Sequence, residues 1–166
     1  MPYGVLTNIS LEPYTANDML FCSGYSAQEL HDWIQDVYVG EWYGTDRIPT
    51  LGKIKRHAQA KTDLLKMVLD QREGIDNLND EKHEAGGCLF YDSDKRIYIM
   101  VMRAGFNPYD PENMVSLAHE IIHLCQTFLP KYFDRNNEME NEAYFHSHIM
   151  RQIYMSFVPN YTPPNI

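Results

Sequence analysis

The chain has 166 residues, 44% hydrophobic and 13% aromatic, which suits one folded domain with a single core and excludes a disordered chain. A net charge of −9 argues against a general nucleic-acid binder, whose affinity would come from a basic surface. No apolar run is long enough to span a bilayer, and Met1 to Leu20 lacks the regions of a signal peptide, so no membrane contact and a cytoplasmic location are expected.

Residues 1 to 25 are rich in turn formers and tyrosine, with at most a short strand near Val5 to Leu11. Ser26-Ala27-Gln28-Glu29 has the spacing of a capping box and predicts a helix through about Val39, with Leu30, Trp33, Ile34 and Val37 on one face. Gly40 to Gly52 reads as a loop. A second helix is expected from about Lys53 to Arg72, burying Ile54, Ala58, Leu64, Leu65, Val68 and Leu69. Its basic residues Lys53, Lys55, Arg56 and Lys61 read as a solvated face. Glu73 to Gly86 is polar and reads as an exposed connection.

Gly87 to Tyr91 and Arg96 to Met102 predict a β-hairpin around Asp92-Ser93-Asp94-Lys95. The second strand is apolar at nearly every position, which implies cover on both faces. Asp110-Pro111-Glu112 then opens a helix, with Asp as N-cap and Pro at the first helical position, and Pro130 ends it. A last helix spans about Asn136 to Val158, and residues 159 to 166 form a Pro-rich tail. Cys22, Cys88 and Cys125 are odd in number and irregular in spacing, which is neither a disulfide framework nor a Cys-based zinc knuckle. Reduced thiols are expected, with Cys125 buried.

The helix opened by Asp110 carries His119-Glu120-Ile121-Ile122-His123. Residues four apart share a helix face, so His119 and His123 aim both imidazoles at one point, half of a tetrahedral zinc site. Glu120, roughly 100° around the helix, can reach a metal-held water without being a ligand. Met114, Leu117, Ala118, Ile121, Leu124, Cys125 and Phe128 form the apolar stripe, and the histidines lie opposite it beside Ser116, Gln126 and Thr127. Two histidines do not hold zinc tightly, so a third protein ligand is needed. The helix that follows offers Glu138, Glu140, Glu142, His146 and His148. Its periodicity leaves Glu140 and Glu142 on opposite flanks and does not choose between them. His146 lies nearer the apolar face and reads as a core histidine, while His148 points outward.

The pattern resembles the gluzincin metallopeptidases, including short phage-encoded and mobile-element peptidase-like proteins. In several of these a downstream Glu, two variable residues and Ala follow the zinc helix, and Glu140-Asn141-Glu142-Ala143-Tyr144 matches that order. The resemblance spans about Gly87 to Met155. It says little about the first 85 residues; joined to the N-terminal helices read over 1–86, it implies an α+β, minimal zincin-like domain with a small sheet or hairpin and the metal-site core over 87–158, and the tail over 159–166. It favours Glu140 as third ligand, with Ala143 allowing close approach to the motif helix. Tyr144 departs from the Asp or Asn that some groups carry there, and Tyr132 is one candidate oxyanion donor among twelve tyrosines.

The implied function is hydrolysis of a protein or peptide substrate by zinc-activated water, with Glu120 as general base. The second hairpin strand is a candidate edge for binding the peptide, although apolarity on both faces suits a central strand better. The alternative is a zinc-binding protein of the same fold that does not turn over substrate and acts as a structural or interaction component of a larger assembly, a viral one for instance.

Overall fold

A computed structural model describes residues 6–9, 11, 18–36, 51–80, 85–128 and 139–157. Among them are strands β1 (Leu6–Ile9), β2 (Met19–Ser23), β3 (Gly87–Asp92) and β4 (Ile97–Met102). The helices are α1 (Ala27–Asp36), α2 (Leu51–Asp70), α3 (Arg72–Asn77), α4 (Pro111–Thr127) and α5 (Met139–Ser156). The molecule mixes α and β structure around one sheet of order β1-β2-β4-β3. β1 and β3 pair antiparallel to their neighbours, while β2 and β4 run parallel, with Met19 beside Tyr98 and Cys22 beside Val101.

Side chains on a strand alternate between faces, and here each face finds its own helices. Leu20, Cys22, Phe90, Ile97, Ile99 and Val101 point to one side and pack with Leu30 and Ile34 of α1, Leu64 and Val68 of α2, and Ile75 of α3. Met19, Phe21, Leu89, Tyr98, Met100 and Met102 point to the other and pack with Leu117, Ile121 and Leu124 of α4 and Phe145, Ile149 and Ile153 of α5. The sheet is thus covered on both faces, and all six residues of β4 are buried, as their apolarity predicts.

The expected helix starts hold in detail. Ser26 and Glu29 form the reciprocal capping box: the Glu29 N–H donates to Ser26 Oγ and the Ser26 N–H to Glu29 Oε1, both at 3.1 Å. Asp110 caps α4, its Oδ1 accepting from the Glu112 N–H at 2.9 Å, with Pro111 in the first turn.

Several expectations need correction. β2 was not foreseen, because a five-residue run buried on both sides shows no alternation. The connection over residues 73–86 is partly helical: α3 buries Ile75, and Leu78 follows it into the core, so two apolar residues in a polar stretch suffice to pin it. Leu51 and Gly52, placed in a loop, belong to α2. On that helix Ala60, Leu64 and Val68 face inward, whereas Ala58 and Leu69 are exposed. Arg96 sits in the hairpin turn at φ 57° rather than in a strand. There Asp92 Oδ1 accepts from the N–H groups of Asp94 and Lys95 at 3.1 and 3.2 Å. The remainder of the expected 40–52 loop, the 159–166 tail, Tyr132 and Glu138 lie outside the described residues. No helix among the described residues is long and apolar enough to cross a membrane.

Candidate metal centre

α4 is anchored by Leu117, Ile121 and Leu124, which are fully buried against the sheet and α5. Each such side chain contributes about 1.5–3 kcal/mol by burial, which fixes the rotation of the helix. His119 and His123 are consequently exposed on the opposite side. Their Nε2 atoms stand 3.1 Å apart, with the rings nearly perpendicular at 83°. That spacing is hydrogen-bonding distance between the two rings, and it is also close to the separation of about 3.3 Å that two nitrogens at 2.0–2.1 Å from one tetrahedral ion would have.

Gln126, on the polar side of the helix, adds an outer contact. Its Oε1 lies 3.0 Å from His123 Nδ1, one turn further along the helix. With the amide oxygen accepting from Nδ1–H, the His123 ring would turn Nε2 toward His119 as an acceptor. Metal-binding histidines are commonly held in this way through the second ring nitrogen.

Glu120 does not share the solvated face. It is only 6% exposed, and among the described residues the only other buried polar side chain is Ser23, which donates to the Arg103 carbonyl at 2.9 Å. Glu120, His119, Ser116 and Val115 line a pocket of about 280 Å³ whose other wall is Ala85, Gly86 and Gly87, at the start of β3. The wall is close to the helix: a Cβ at Gly86 would collide with Ser116 Oγ and stand 2.7 Å from its Cβ. The Cys88 thiol is raised above its ordinary pKa by burial, and further by the negative charge of Glu120, which places a carboxylate beside β3.

Among the described strands β3 is an outer one, and β4, the strand expected as a candidate peptide-binding edge, is an inner one. The Arg103 N–H donates to the Gly86 carbonyl at 2.9 Å, marking a hydrogen-bonded antiparallel pair. Alternation then turns the backbone groups of Cys88 and Phe90 toward β4, and those of Gly87, Leu89 and Tyr91 outward. The outward row begins at the pocket.

The third ligand is where the structure departs from the expectation. Phe145 of α5 packs on Phe128 at 5.3 Å between ring centroids, while the Tyr154 hydroxyl donates to the Pro108 carbonyl at 2.8 Å, so α5 runs antiparallel to α4. Glu140 therefore lies beyond the end of α4, roughly 15 Å along the axis from His123. It is exposed, as are Ala143 and Tyr144, so Ala143 does not form the close contact with α4 that the resemblance implies. Glu142 and His146 are half-buried, and His148 is exposed, accepting from Gln152 Nε2 at 2.9 Å. Among the described residues no three His, Cys, Asp or Glu side chains stand close enough to hold one ion. The two histidines converge, and Glu140 does not join them in this arrangement.

Comparison of the chain with protein-family profiles, with curated proteins and with solved structures finds no match.

Proposed function

We propose that the protein is a zinc-dependent peptidase in which His119 and His123 hold the metal and Glu120 is the general base. The observation that carries this reading is the placement of Glu120, a buried carboxylate that shares a pocket with His119 next to two converged imidazole nitrogens. A site that served only to staple the fold would have no use for a base there. When bound, zinc supplies a Lewis acid that brings the pKa of a water toward about 7. Glu120 is placed to take a proton from a water in the pocket and return it to the leaving amine. The outward backbone groups of Gly87 and Leu89 suit a peptide added as a further strand, which would lay its carbonyl groups along the pocket. Glu140 as third donor rests on the resemblance to gluzincins alone, and would require α5 to shift along α4.

The distance of Glu140 from the pair favours a second reading, a zincin-like zinc-binding component of an assembly that does not hydrolyse peptides. The two readings part on Glu120→Gln, which preserves size and hydrogen bonding but removes the base. Hydrolysis of a broad peptide library by the zinc-loaded protein should fall by about 10²–10⁴-fold, with zinc content unchanged. Equal cleavage by wild type and variant would remove Glu120 from the mechanism, and no cleavage by zinc-loaded wild type would favour the second reading.

A further inference from the structure

α4 and β3 lie side by side and run in the same direction. Ser116 abuts Gly86 at one end, and Phe128 packs on Tyr98, the cross-strand partner of Tyr91, at the other. The histidine pair therefore stands level with about the middle of β3, and the outward backbone edge continues past it to Tyr91, roughly 10 Å further on. Tyr91 is 51% exposed at the end of that edge. Its ring lies nearly parallel to that of Tyr98, with centroids 6.4 Å apart and 13° between planes, and Tyr98 is buried against Phe128. An exposed aromatic with one face toward a buried neighbour leaves apolar ring surface on which a further side chain can pack.

We infer that Tyr91 is a specificity-determining subsite, taking an apolar or aromatic side chain of an extended peptide about three residues from the bond presented to the histidine pair. This rests on the peptidase reading. The spacing follows from the geometry: a strand paired with β3 advances at the same rise per residue, and a residue opposite Tyr91 points its side chain to the same face of the sheet. The occupant is an extended chain because the edge offers alternating backbone donors and acceptors that only another extended backbone can satisfy in register.

The test uses hydroxamates as probes on the zinc-loaded protein. One probe is acetohydroxamate. The others are two series of peptide hydroxamates, extended to either side of the zinc-binding group, with Phe or Ser at the third residue. In one series wild type should prefer Phe over Ser by about three- to tenfold, the range of an aromatic contact. Tyr91→Ser should abolish the preference and Tyr91→Phe should keep it, while acetohydroxamate affinity stays the same in all three proteins. A preference that survives Tyr91→Ser would overturn the assignment. So would wild type that binds acetohydroxamate but shows no preference in either series, a result that leaves the peptidase reading standing. Wild type that fails to bind acetohydroxamate in the presence of zinc would overturn the peptidase reading, and the subsite with it.

Discussion

The α1–α3 layer and the α4–α5 layer rest on opposite faces of the same four strands, and each closes an apolar core over alternate residues of every central strand. On the first face the clustered core side chains are all apolar, and at its margin the Asp76 carboxylate accepts from the Ala27 N–H at 2.8 Å at the start of α1. On the second, α4 carries a buried carboxylate and two converged imidazoles beside the outer strand of the sheet. What separates the layers is position rather than composition. α4 lies along β3, whose alternate backbone groups are turned outward, and a pocket opens between the two, whereas β4 is enclosed from both sides.

The largest effects should come from cavities cut under each layer. Leu64→Ala beneath α2 and Leu117→Ala beneath α4 should each cost about 2–5 kcal/mol in denaturant unfolding. The comparison predicts that only Leu117→Ala also weakens zinc binding by the folded protein, since only α4 carries the pair. Equal zinc affinity in the two variants would break the distinction between the layers.

Gly86→Ala probes the wall between β3 and α4. The added methyl meets Ser116 and should cost about 1–3 kcal/mol by overpacking. Ser116→Ala, which removes the hydroxyl, should recover part of that loss in the double variant, and strictly additive losses would show that the two residues are not in contact.

The smallest effects belong to the caps, one on each layer. Ser26→Ala at α1 and Asp110→Ala at α4 should each cost about 1 kcal/mol. Zinc affinity should be indifferent to both, because Asp110 lies more than two turns from His119. A loss of zinc on Asp110→Ala would mean that the pair depends on the helix start as well as on the buried anchors.

Much of the second layer was legible in the chain. Asp110-Pro111 and the stripe of Leu117, Ile121 and Leu124 determined both the start and the rotation of α4, and the rotation put His119 and His123 together. The hairpin was legible for the same reason, since Ile97 to Met102 could be apolar throughout only in an inner strand. Contacts between elements were not. β2 is too short and too evenly buried to show a period, and without it nothing distinguishes β3 from β4 as the outer strand. On α5 and just past it, Met150, Ile153, Tyr154 and Phe157 pack on the core at helical spacing, but Phe145 against Phe128 and Ile149 belong to the same buried face and leave Ala143 and Glu140 exposed. Gln126 carried a usable signal in its place three residues after His123, on the same polar side.

Calorimetric titration of the metal-free protein with zinc tests most directly the proposal that His119 and His123 on α4 bind the metal. Wild type should bind about one zinc per chain, and His119→Ala and His123→Ala should each lose that binding while Gln126→Ala only weakens it. A wild type that takes up no zinc, or unchanged stoichiometry and affinity in both histidine variants, would contradict the account.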